Sequence, residues 1–199
     1  MAKYTKNNSR LSRVPKGFGF EAKVKAYQNE LANTVREHGR AVVGVVADGA
    51  EYGEGGRFYY TIPIPNGDEP TLLTSYPGNT ATWLLNRIGD DFKNGTLSLP
   101  KAGETAEVRG YIGENGVLPL RLKTLTADHA EFAYREMTCQ SFDILPVVIV
   151  ELPDPAGKWA EDAGCDPRVK LATEFLRAVF SDDANEQDAF LEKMEALKQ

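Results

Sequence analysis

Residues 57–64 read Arg-Phe-Tyr-Tyr-Thr-Ile-Pro-Ile, and no other stretch restricts the fold so strongly. Aromatic and β-branched residues follow one another, a glycine-rich loop precedes them, and Pro-Asn-Gly-Asp comes after. That is the pattern of a central strand closed by a turn. Alternation sends Phe58, Tyr60, Ile62 and Ile64 to one face and Tyr59, Thr61 and Pro63 to the other. Adjacent tyrosines on opposite faces cannot share one core. Pro63 and Pro65 cannot donate to a ladder, so strand pairing is expected to weaken there.

Around this strand the remaining elements follow from period and punctuation. Val24, Tyr27, Leu31 and Val35 form one stripe, which predicts a helix over 21–38 with Gly39 as its C-terminal cap. The apolar run 41–47 is too short for a helix and reads as a buried strand. Further strands are predicted at 71–76, 106–112, 117–125 and 145–152, the last being the most apolar. Gly113-Glu114-Asn115-Gly116 reads as a hairpin turn. A helix is predicted from Ala81 to about Lys93, with Trp83, Leu84, Ile88 and Phe92 or nearby Leu85 inward and Asn94-Gly95 as its stop. Asp128 is expected to cap a short helix ending near Met137. Two amphipathic helices, 168–180 and 187–197, follow the last strand. The order implies an α+β fold: a largely antiparallel sheet of about six strands, flanking helices and a C-terminal helical pair.

The chain of 199 residues is 42% hydrophobic, enough for a core without staples. It divides into a flexible basic arm at 1–20, an α+β domain at 21–167 and a helical extension at 168–199. The arm holds Lys3, Lys6, Arg10, Arg13 and Lys16 and no acid, leaving 18 basic against 29 acidic side chains elsewhere. So acidic a body argues against broad nucleic-acid binding, except through the arm. Cys139 and Cys165 make no framework, and no apolar run reaches membrane-span length. A cytoplasmic protein with no membrane partner is expected.

Several short stretches, in order, resemble domain-of-unknown-function family 4262, which occurs in bacteria and phages. They are His38-Gly39, Phe58-Tyr59-Tyr60-Thr61-Ile62, Glu69-Pro70-Thr71-Leu72-Leu73, Leu84-Leu85-Asn86 and Pro153-Asp154-Pro155-Ala156-Gly157-Lys158-Trp159. The resemblance spans roughly residues 30–167. Four positions depart from it: Arg40 stands for a Trp, Pro63 for a Gly, Glu69 for a His and Ala160 for a Pro. The resemblance implies a fold and carries no activity.

The candidate ligand-binding residues are His38, Tyr59, Tyr60, Thr61, Asp154 and Trp159. His38 at a helix end could hydrogen-bond a ligand or act as a base, or simply complement the helix dipole. Tyr59, Tyr60 and Thr61 offer hydroxyls and a stacking face, or else a core strand with one exposed phenol. Asn79, Trp83 and Asn86 share one face of the second helix, and Asn86 invites a buried hydrogen bond. The long loop 153–167 is of the kind that carries function; its acids could hold a cation, or Asp154 could make an Asx turn with Trp159 as a plug. The loop lacks calcium-loop spacing, and His38 and His129 are too few for a His-rich zinc site, so no metal or cofactor is expected. Acidic neighbours should leave Cys165 inert, and no G-x-S-x-G occurs.

The function expected from these residues is a small-ligand binding module, the ligand planar and nucleotide-like, with His38, Tyr60 and Asp154 meeting in one hollow. The alternatives are a protein-interaction or homo-oligomerisation module built on the C-terminal helices, with Phe190, Leu191 and Met194 as the patch, and a hydrolase using His38 with Asp154.

Overall fold

The computed structural model describes residues 20–46, 57–64, 67–76, 78–113, 116–126 and 146–180, together with Glu192. Its elements are α1 (Phe20–His38), β1 (Arg40–Val46), β2 (Arg57–Pro63), β3 (Thr71–Thr74), α2 (Gly78–Lys93), β4 (Thr105–Gly113), β5 (Gly116–Thr124), β6 (Val147–Glu151) and α3 (Pro167–Phe180). Most of the basic arm, the helix expected from Asp128 to Met137 and the helix expected over 187–197 lie outside the described residues.

The six strands form one sheet in the order β1-β2-β3-β6-β5-β4. It consists of two antiparallel meanders, β1-β2-β3 and β4-β5-β6, joined where β3 and β6 run side by side. That junction is parallel, with Thr71 opposite Val147, Leu72 opposite Val148 and Leu73 opposite Ile149. The fold is α+β, but the sheet is mixed rather than largely antiparallel. The difference arises because β3 and β6 are distant in sequence, and alternation within a strand does not name its neighbour. Their burial does: every residue of β3 and β6 is buried, as parallel strands covered on both faces require.

Helices cover both faces. On one, Leu31 and Val35 of α1 and Phe175, Leu176 and Phe180 of α3 pack with Val43, Phe58, Tyr60, Leu73 and Ile149. On the other, Leu84, Leu85, Ile88 and Phe92 of α2 pack with Leu72, Leu120, Leu122, Val148 and Val150. The first of the two expected C-terminal helices is thus folded back into the sheet's core. A helical pair is not what the described residues contain.

Local chemistry sets the ends. Gly39 takes φ +85° and its N–H donates to the Val35 carbonyl at 2.8 Å, closing α1 as expected. Gly95, at φ +69°, donates to Phe92 O and Thr96 to Asp91 O, a Schellman ending for α2. In α2 the inward stripe is Ala81, Leu84, Leu85, Ile88 and Phe92, whereas Trp83 is 45% exposed. Trp83 lies one residue, about 100°, behind Leu84, which turns it off the stripe. Opposite Pro119, which has no N–H to give, the β4–β5 ladder slips by one residue, so that Arg109 and Gly110 face it. Along β2 the pairing to β3 covers Tyr59 and Tyr60 only; the Leu72 N–H then turns to the Thr61 hydroxyl, 2.9 Å away.

Candidate functional site

Strand directions decide which of the expected residues can meet. β1 begins at Arg40, opposite Pro63 at the end of β2, so His38 lies at the end where β3 and β6 start. Its side chain is 71% exposed, beside Glu37 at 3.9 Å. Asp154 follows β6 and lies beyond the opposite end of the sheet. Tyr60 sits between them, 1% exposed in the core under α1 and α3, its ring 6.3 Å from that of Phe58. Thr61 is buried on the opposite face, and Tyr59, half-buried there, lies across Gly44, where an added Cβ would come within 2.9 Å of its ring. The three pieces expected to share a hollow are therefore held apart, with the phenol sealed.

The loop after β6 is occupied with its own backbone. The Asp154 carboxylate accepts N–H bonds from Ala156, Lys158 and Asp166 at 2.8–2.9 Å. These bonds, those of Lys158 and Asp166 foremost, hold its carboxyl below the usual range. Gly157 and Gly164 take positive φ, and the Lys158 ammonium donates to the carbonyls of Ala163 and Gly164 at 3.2 and 3.4 Å. A cation in this loop would find those carbonyls already capped by Lys158. Trp159 is half-buried beneath Arg121, whose guanidinium lies 3.8 Å from a ring centroid. Cys165 is buried, and burial, with the charges of Asp154 and Asp166, pushes its thiol up.

At the His38 end, two positions that depart from the family resemblance meet each other. Arg40 Nε and Nη2 donate to Glu69 Oε1 and Oε2 at 2.6 and 3.0 Å, and Nη1 donates to Asn86 O and Asp90 Oδ1, each at 2.8 Å. Asn86 is half-buried, and the bond to β1 is accepted by its backbone carbonyl rather than made by the side chain the sequence singled out. The close fit depends on Gly89, where a Cβ would stand 2.6 Å from Glu69 Oε1. This cluster ties β1, the approach to β3 and α2 together.

At the opposite end, where β3 and β6 finish and α3 begins, lies a cavity of about 590 Å³. Tyr76, Leu152 and Leu171 give it apolar walls; Thr74, Glu151 and Asp166 bring polar atoms. The Tyr76 N–H donates to Thr74 Oγ1 at 3.3 Å, which fixes the turn leaving β3. Asp166 caps α3: its carboxylate takes the Arg168 N–H at 2.8 Å and bonds the backbone of Val169, and Pro167 has no N–H to offer. Glu151 accepts Arg177 through both oxygens at 2.7 Å. Arg177 also reaches Glu161 at 3.4 Å, and Glu161 pairs with Arg121.

The sequence reading missed this cavity, although it marked the 153–167 loop that supplies one wall. Its lining comes from the last residues of two strands and the first turn of a helix, and only the β3–β6 pairing brings these together. A search of family models, curated proteins and solved structures finds no match for the chain, so the resemblance noted above rests on its quoted motifs alone.

Proposed function

We propose that the chain is a small-ligand binding module and that the cavity at the ends of β3 and β6 is its site. One observation carries this reading. From neighbouring parallel strands the chain leaves in opposite directions, β3 into α2 on one face and β6 into α3 on the other. A crevice opens where such connections diverge, and ligands of open sheets bind there. The volume of about 590 Å³ falls within the roughly 300–1,000 Å³ of small-molecule sites.

The lining favours a compact body carrying a ring. Tyr76 is the aromatic wall, taking the stacking role first given to Tyr59 and Tyr60. A nucleotide phosphate is less well served, because Asp166 already fills the first-turn amides of α3 and would repel it. The pair His38 and Asp154, at opposite ends of the sheet, gives a hydrolase reading no support. The buried free thiol of Cys165 supports a cytoplasmic setting, and among the described residues no helix is long and apolar enough to cross a membrane.

A fragment library screened by thermal shift, with hits mapped by backbone amide shifts, tests the site. Hits should perturb residues 74–76, 150–152 and 166–173, and Ala172→Trp, which drives an indole into the cavity, should abolish them. Hits that map elsewhere, or survive Ala172→Trp, overturn the reading.

A further inference from the structure

We infer that the ligand of this cavity presents a protonated amine, or another cationic N–H donor, to the Glu151 carboxylate. This rests on the cavity being the binding site.

Of the charged side chains in the lining, Glu151 is the buried one, at 6% exposure; Asp166 and Arg168 are 28% and 78% exposed at the side chain. The Arg177 fork uses one lone pair on each Glu151 oxygen, and a carboxylate has about four such sites, so each oxygen retains room for a second donor. A charged donor in an apolar hollow makes the stronger class of hydrogen bond.

Arg177 is placed to permit this. It already touches Glu161 at 3.4 Å while holding Glu151 at 2.7 Å. As a ligand cation shares Glu151, Arg177 can lean toward Glu161 and keep a carboxylate partner. An anionic ligand meets the reverse situation. Glu151 and Asp166 both line the cavity, the first-turn amides of α3 are taken, and Arg168, the cation in the lining, is already paired with Asp166 at 3.2 Å.

Three probes of one shape separate the possibilities: benzylamine, benzyl alcohol and benzoate, titrated into the full chain at neutral pH and followed by amide shifts. Benzylamine should saturate the cavity residues at least tenfold more tightly than benzyl alcohol, and benzoate should bind most weakly. Glu151→Gln should bring benzylamine down to the level of benzyl alcohol. If circular dichroism shows that variant unfolded, the order of the three probes on the unaltered chain decides alone. Benzyl alcohol or benzoate binding the cavity as tightly as benzylamine overturns the inference and leaves the site standing. Silence from all three at the cavity residues overturns both.

Discussion

Arg40 and Glu69 meet fork to fork, Nε to Oε1 at 2.6 Å and Nη2 to Oε2 at 3.0 Å, with 7% and 8% of their side chains exposed. The guanidinium spends its other nitrogen on α2. Burial alone would lower the Arg40 pKa, but the bonds and charges of Glu69, and after it Asp90, lift it above its ordinary value. One charge pair therefore fastens the start of β1 to the entry of β3 and to the last turns of α2.

Removing one partner should be costly. Arg40→Ala leaves the Glu69 carboxylate buried without its partner, and a loss of about 3–5 kcal/mol is expected in urea unfolding; Glu69→Ala should cost less, because Arg40 keeps Asp90. The double substitution should cost clearly less than the sum of the two. Additive costs would show that the pair is not energetically coupled.

Gly89 tests the same cluster from the helix side. In an exposed helix interior, Gly to Ala gains about 0.5–1 kcal/mol. Here the new Cβ would stand 2.6 Å from Glu69 Oε1 and 2.7 Å from Arg40 Nε, so Gly89→Ala should lower stability instead. In the Arg40→Ala, Glu69→Ala double background both obstructing side chains are gone and the sign should reverse. The midpoint of unfolding of the four proteins settles it.

Asp154 should give stability a definite pH dependence. Its folded pKa lies below the unfolded value of about 3.9, so the stabilisation is present above that value and is lost as pH falls through the folded pKa. Asp154→Asn should be less stable than the parent at pH 7, and the gap should narrow as pH drops below about 4. Thermal unfolding across pH 2.5–7, as a rough range chosen around that pKa, reads the difference. A constant gap would mean that the charge of Asp154 contributes nothing.

Cys165 should resist alkylation. Burial, the neighbouring carboxylates Asp154 and Asp166, and a thiol bonded to the Lys158 carbonyl at 3.7 Å all keep it from the reactive thiolate. Iodoacetamide at pH 7.5, a condition about one unit below the ordinary thiol pKa of ~8.5, should label the Cys165 peptide slowly in the folded chain and quickly in urea. Equal labelling by mass spectrometry would contradict the packing.

The loop after β6 shows how a partly legible site can still mislead. Its length marks it for function, and Asp154 and Trp159 are the candidates within it. Their side chains proved to build the loop: Asp154 gathers three amides and Trp159 lies under Arg121. Residues with no chemical signature in sequence, Thr74, Tyr76 and Leu171, line the cavity instead. His38 was marked by its place at a helix end and stands in solvent.

What the sequence determined by itself is the set of elements. The six strands, the stripe of α1 and the capping glycines Gly39 and Gly95 obey rules of sterics and hydrogen bonding that act over a few residues. Only the tertiary structure decided that β3 lies parallel to β6, that Arg40 finds Glu69, and that a cavity opens where α2 and α3 diverge. Those outcomes join residues far apart along the chain. Burial on both faces and the pairing of charges select them, and neither leaves a local period to read.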